Sequence, residues 1–340
     1  MTTHDVAYDI SLSFLILSFV VLVIILIIIL CNKKQVKGQE ILPTRKSAHI
    51  YSLIDVDEAT EGFSTRRLVG QGRLGTVYTG VMSRGDMVIV KRIHPRLVLS
   101  NAGNSTFSSV LKSLCAVQHP NIVSILGFSE APGERIIVSE FVGMISLEFY
   151  LHGNSEGVAL LDWGNRLKVA AGLARGIEHL HEVVMPPIVH GCVKSSNVLI
   201  DLKFVAKICD YGLSFLTPQE KEGLVGYVDD EFWINKKGAS KESDVYGLGV
   251  VLLEILSGRR SGKGFNIVEW ALPLIKETKI SQLLDTRIVI PSDMKPLVRL
   301  AKVAAACVGN SRKNRPSIVQ VVAILNNLEE GALFISFGSL

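Results

Sequence analysis

The residues with the plainest chemical potential begin at Gly70. Gly70-Gln71-Gly72-Arg73-Leu74-Gly75-Thr76-Val77 forms a G-x-G-x-x-G-x-V run. Glycines let backbone N–H groups approach an anion closely, and the same residues supply the φ angles of a tight hairpin. Either use accounts for Gly70, Gly72 and Gly75. A dinucleotide-binding turn is excluded, because there the third glycine opens a helix. Here Thr76-Val77-Tyr78 is β-branched and aromatic, and Lys91 stands on the next strand-like run. A second concentration of functional groups is IVHGCVKSSNVLI, residues 188–200. Its thiol, Cys192, reads as a small buried apolar residue, the usual state of a free cysteine, with a reactive thiol as the alternative. The other cysteines, Cys31, Cys115, Cys209 and Cys307, are scattered without C-x-x-C spacing. That pattern argues against zinc and disulfides and fits a reducing cytosol.

The elements that must position these groups follow from pattern. Leu68 to Lys91 alternates short β-rich runs with glycines, which predicts three antiparallel strands with a turn at Arg84-Gly85. Phe107, Val110, Leu111, Leu114 and Val117 share a face and predict a helix over 107–117. Asp162 is placed to cap a helix carrying Trp163, Leu167, Ala170, Ala174, Ile177 and His181 on one face. Ser243-Asp244 opens VYGLGVVLLEIL, apolar on nearly every side and therefore a buried helix. A β-rich lobe followed by a larger helical lobe is an α+β layout with a cleft between them.

The chain has 340 residues and a formal net charge of +4. Leu12 to Leu30 carries no charge, and at about 1.5 Å per residue a helix of this length covers roughly 30 Å, a bilayer core. A signal peptide would have basic residues before it and a small-residue cleavage site after it; MTTHDVAYDI and CNKK offer neither. Lys33, Lys34, Lys37, Arg45 and Lys46 follow the span against one acid, Glu40. The positive-inside rule then expects residues 1–10 outside, a single transmembrane helix over 11–31, and a cytosolic remainder at the plasma membrane. The basic stretch, part of a juxtamembrane segment 32–66, is also placed to meet anionic lipid head groups. The only basic run lies at the membrane, so nucleic-acid binding is excluded.

The order of the motifs resembles a protein kinase. The glycine loop is followed by Lys91, by His190-x-x-x-Lys194-x-x-Asn197, by Asp210-Tyr211-Gly212 and by Ser243-Asp244-Val245-Tyr246-Gly247. The lead-in DEATEGFSTRRLVGQG and the NRPS at 314–317 are similar to the plant receptor-like kinase family. The resemblance implies a bilobal kinase-like domain over 67–330 and a tail at 331–340. It implies that Gly70, Gly72, Gly75, Val77, Lys91 and Leu199 face a nucleotide, that Lys194 sits near the γ-phosphate, and that Asn197 and Asp210 offer oxygen ligands to magnesium. It also implies a buried ion pair between Glu231 and Arg315, and a bracing role for Asp244.

Against that family the chain departs at several positions together. Cys192 stands in place of the catalytic Asp, and a thiol cannot orient a hydroxyl as a carboxylate does. Val110 replaces the helix glutamate that would hold Lys91. Gly191 replaces an activation-loop Arg and Leu224 a docking Thr. Asp229-Asp230-Glu231 replaces Ala-Pro-Glu and sets two acids in the peptide-docking segment. Ile89 replaces the Ala over the adenine pocket, so ATP and Mg are expected to bind weakly or not at all. The reading is a receptor-like pseudokinase acting as scaffold or allosteric partner to receptor-like or cytoplasmic kinases. The alternative is a low-turnover Ser/Thr kinase.

Overall fold

The computed structural model describes residues 48–100, 106–143, 145–153, 160–217, 223–234, 238–262 and 264–337. The expected span and its whole basic flank, Lys33 to Lys46, lie outside these residues. Among the described residues no helix is long and apolar enough to cross a membrane.

The small lobe is one sheet of β1 (His49–Ile50), β2 (Leu68–Gln71), β3 (Gly75–Val81), β4 (Met87–Ile93), β5 (Ile125–Ala131) and β6 (Glu134–Glu140), in the order β1-β5-β6-β4-β3-β2. The three strands expected between Leu68 and Lys91 are β2, β3 and β4. Gly85, at φ +87°, turns β3 into β4, a backbone region that favours glycine. Register sets Lys91 of β4 opposite Val77 of β3 on one side and Ile137 of β6 on the other. Gly75 is structural, since an added Cβ would lie 2.0 Å from the Arg92 carbonyl oxygen. Gly70 has open space around it.

Residues ahead of 67 also pack on the small lobe. His49 and Ile50 pair in parallel with Gly127 and Phe128, and α1 (Leu53–Ala59), capped reciprocally by Ser52 and Asp55, buries Val56 against the sheet. Sequence pattern had no grip on a two-residue strand whose partner lies on β5. The close approach depends on Gly127, where a Cβ would meet His49 O at 2.0 Å and the Tyr51 ring at 2.8 Å. Gly127→Ala is therefore expected to detach residues 49–51 and to expose this stretch to limited proteolysis. A variant as protected as the wild type would refute the pairing.

Between β4 and β5 come α2 (Pro95–Ser100) and α3 (Thr106–Leu114). The latter stops short of the expected Val117, because the chain turns there toward β5. The helical lobe holds α4 (Leu147–His152), α5 (Trp163–Glu178), α6 (Asp230–Trp233), α7 (Lys241–Ser257), α8 (Ile267–Lys276), α9 (Ile280–Leu283), α10 (Lys295–Cys307) and α11 (Ile318–Phe337). Asp162 caps α5 through the Asn165 N–H at 2.7 Å. Helix α7 is buried along nearly its whole length, starts at Lys241 behind a Ser240 cap, and packs on α5 and α10. Helix α11 packs on α5 and continues to Phe337, into the segment expected as a tail. The hairpin of β7 (Val198–Ile200) and β8 (Ala206–Ile208) lies on α5 beneath the sheet lobe.

Candidate nucleotide cleft

Between the lobes lies a cleft of ≈ 1000 Å³, at the upper end of ordinary ligand pockets. Gly70, Gly72, Gly75, Val77, Ile89, Lys91, Cys192, Lys194, Asn197, Leu199 and Asp210 all line it. Residues far apart in sequence are thus brought to one surface. Ile89 stands between Thr79 and Ser139 in the sheet and narrows the cleft without closing it.

The floor is organised from α7. Asp244 accepts the N–H groups of His190 at 2.7 Å and Gly191 at 2.8 Å, and His181 Nε2 lies 2.9 Å from it. Gly191 sits at φ +80° with Ser214 Cβ 2.8 Å from where a Cβ would be, so an arginine does not fit this backbone. Asn197 donates its amide to the Cys192 carbonyl at 3.0 Å and closes the 192–197 loop.

Cys192 is buried at 5 % exposure, Leu224 at 2 % and Phe232 at 9 %, in one apolar cluster flanked by Val228, Trp233 and Ala239. Burial pushes the Cys192 thiol up, with Lys194 and Arg73 pulling the other way, so the neutral thiol prevails. The two positions where the family carries an acid and a hydroxyl have become one patch of core.

Lys91 pairs with Asp210, an aspartate in the left-handed region at φ +64°. Burial works against the Lys91 ammonium, but the adjacent carboxylate outweighs it and holds its pKa above the usual lysine value. Burial likewise opposes ionised Asp210, and Lys91 outweighs it, so Asp210 titrates below the usual carboxylate range. Val110, on α3, packs half-buried against the core. Val110 offers no carboxylate, and the acid that meets Lys91 is Asp210. Asn197 gives its amide N–H to a carbonyl, so its Oδ1 remains an acceptor, while Asp210 is engaged through one carboxylate oxygen by Lys91. Among the described residues no group of three or more His, Cys, Asp or Glu side chains is placed to hold a metal.

Three features escaped the sequence. Arg73, at the tip of the glycine loop, donates to the Thr217 hydroxyl; no local pattern links a hairpin tip to that residue. The carboxylate that meets Arg315 is Asp229, which also takes Arg312 through two bonds of 2.8 Å, whereas Glu231 accepts the Arg312 backbone N–H at 3.0 Å. The expected Glu231–Arg315 pair is corrected accordingly. Asp229 is 3 % exposed and is not offered to a docking peptide; Asp230 is exposed.

The third is Glu254 of α7, fully buried, whose Oε1 accepts from the Tyr227 hydroxyl at 2.7 Å and the Ser261 N–H at 2.9 Å. His152 Nδ1–H donates to the Gly258 carbonyl at 3.2 Å, which leaves bare Nε2 3.8 Å from the same carboxylate. Burial drops His152 to about 4 and raises Glu254 to about 7. An acid whose folded pKa is raised favours the folded state while protonated, so this stability is fully present below the unfolded value, about 4.3, and is lost as pH rises from there to about 7. Glu254→Gln should flatten the fall in Tm between about pH 4.5 and 7.5. An unchanged slope would place the titration elsewhere.

The cleft, the two lobes and the motif order define a protein kinase domain. The chain belongs to the family described as protein tyrosine and serine/threonine kinase, matched over residues 63–325. It is close to plant receptor-like kinases. It is 36 % identical over 300 residues to the serine/threonine-protein kinase-like protein CCR2 of Arabidopsis thaliana, covering 86 % of this chain and 36 % of that one. It is 34 % identical over 321 residues to the proline-rich receptor-like protein kinase PERK3 of the same plant, covering 87 % and 61 %. The chain thus spans about a third to three fifths of these relatives' lengths. Among solved structures, it is similar to the pseudokinase domain of BIR2, an immune regulator of the RLK/Pelle family. The TM-score is 0.66 at 28 % identity, over 85 % of this chain and 92 % of that one.

Proposed function

We propose that the protein is a membrane-anchored receptor-like pseudokinase that works by binding, with little or no phosphotransfer. The observation that carries this reading is the burial of Cys192 and Leu224 in one apolar cluster, where the reaction needs a carboxylate and a hydroxyl. The hold of Lys91 on Asp210 supports it, because positioning and charge stabilisation are the protein's main contributions to phosphoryl transfer. Its partners are other receptor-like or cytoplasmic kinases, which a folded kinase surface can scaffold or bias. The anchor is the apolar segment 11–31, with the short N-terminus outside and the kinase-like domain cytosolic at the plasma membrane. The retention of Lys91, Asn197 and Asp210 on one cleft favours the second reading, a Ser/Thr kinase of low turnover.

The two readings separate on labelled ATP with Mg²⁺. The full chain in detergent should incorporate no more phosphate into itself or a generic protein substrate than its Asp210→Ala variant. Label above that control sinks the inactive reading.

A further inference from the structure

Helix α10 packs into the core through Leu297, Leu300, Ala301 and Ala304. Away from the core it carries Lys295, Arg299 and Lys302, spaced four and three residues apart and all exposed. At 3.6 residues per turn these three fall on one face. In sequence apolar residues separate them, and the helix gathers them into one basic stripe. A solvated helix face ordinarily mixes both signs of charge. From Met294 to Leu328, however, the chain has six cations and no acid. Two of the six, Arg312 and Arg315, are engaged by Asp229 inside the domain. Among the described residues no carboxylate pairs with the side chains of Lys295, Arg299 and Lys302. The acids at either border are occupied: Asp293 accepts the Lys295 backbone N–H at 3.0 Å, and Glu329 pairs with Arg175 at 2.6 Å.

The loop ahead of α10 is apolar and faces solvent. Val289 is 89 % exposed and Ile290 47 %. The Trp163 indole N–H donates to the Val289 carbonyl at 3.1 Å, so the loop is tied down by its backbone while its aliphatic side chains stay in water. Cations beside exposed aliphatics match a surface with an anionic outer layer and hydrocarbon just beneath it. An acidic protein face answers the cations alone.

Such a surface is within reach. Residues 32–48 separate the apolar segment 11–31 from β1, a length of chain that extends to about 60 Å at most. Lys33, Lys34, Lys37, Arg45 and Lys46 in that linker have the same sign as the α10 stripe, so one anionic leaflet attracts both.

We propose that the exposed face of α10, with Val289 and Ile290 ahead of it, docks on the anionic cytosolic leaflet of the membrane that anchors the chain. The proposal goes beyond the pseudokinase reading and rests on its anchor. Docking on this face holds the domain in one orientation to the bilayer and so selects which of its surfaces a partner kinase meets.

The test is hydrogen exchange of the full chain in phosphatidylcholine nanodiscs, with and without phosphatidylserine. The amides of residues 286–294 are expected to exchange more slowly when phosphatidylserine is present, and added salt should erase the difference. Lys295→Ala, Arg299→Ala and Lys302→Ala should each reduce that protection by roughly fivefold, the scale for one cation at an anionic surface. Val289→Ser should weaken it as well, although no charge changes. Lys295→Arg, Arg299→Lys and Lys302→Arg together keep the charge and should keep the protection, and thermal unfolding of each variant checks that it is folded. Equal exchange in the two lipid mixtures overturns the proposal, as does a lipid effect that survives the loss of all three cations. Protection by a polyglutamate peptide and none by phosphatidylserine assigns the face to an acidic protein and overturns it too. Insertion is read separately, by whether alkaline carbonate strips the chain from liposomes of the same lipids. An inserted chain without lipid-dependent exchange removes only this proposal, whereas a stripped chain removes the anchor and this proposal with it.

Discussion

Cys192→Asp is expected to return no phosphotransfer and to destabilise the domain by about 2–4 kcal/mol, the scale for placing a polar or charged group in an apolar site without a full set of partners. The thiol it replaces is 5 % exposed and shares its cluster with Leu224 and Phe232. A carboxylate there loses water and gains only the partial help of Lys194 and Arg73, the two cations that already act on the thiol. A missing base alone accounts for roughly 10²–10⁴ in rate, but supplying it leaves the other defects standing. Leu224 still presents methyl groups, Val110 still offers Lys91 nothing, and Asp210 is still engaged. The checks are unfolding midpoint and label incorporation beside Asp210→Ala. Adding Leu224→Thr should recover part of the lost stability, since a hydroxyl can then meet the new acid. A single Cys192→Asp variant that is both stable and active would show that the apolar cluster is incidental.

Asp229→Ala should cost about 3–5 kcal/mol, the scale for removing one partner from a buried ion pair. Asp229 meets both Arg312 and Arg315, whose side chains are 10 % and 1 % exposed. Without it two guanidiniums remain in the interior, and Arg315 keeps only carbonyl contacts and its stacking on Tyr246, 4.9 Å from the ring centre. Burial opposes the ionised Asp229, and the two arginines outweigh it, so its pKa lies below the usual carboxylate value. The stability it contributes is then fully present above the unfolded pKa, about 3.9, and is lost as pH falls through the lower folded value. Acid unfolding of the wild type should show this loss, and Asp229→Ala should not. Glu231→Gln keeps an acceptor for the Arg312 N–H and should stay within about 1 kcal/mol of wild type. The reverse order of severity would restore Glu231 as the brace.

Much of the site was legible in sequence because its chemistry is carried by short motifs. The glycine run, Lys91, the 190–197 loop and Asp210 were each identifiable alone, and they line one cleft. The burial of Cys192 followed from what a free cysteine usually does. The partners were not legible. Nothing local distinguishes Asp229 from Glu231 as the acid for Arg315, since both fall in one acidic triplet and the choice depends on how α6 meets the loop before α11. The Arg73 contact with Thr217 and the pairing of His49–Ile50 with β5 are likewise long-range. Glu254 reads in sequence as one polar residue in an apolar helix; only its depth in the core makes it titrate near 7.

By itself, the amino-acid sequence determined the two-lobed kinase architecture, the family and the positions at which the chain departs from the family's motifs. Periodicity, caps and motif spacing are local properties that survive without coordinates. Tertiary structure alone decided what fills the gaps: Lys91 on Asp210, Leu224 beside Cys192, Asp229 under two arginines. A buried charge or an apolar surface takes whichever partner packing brings within a few ångströms, and that distance is set by the whole fold.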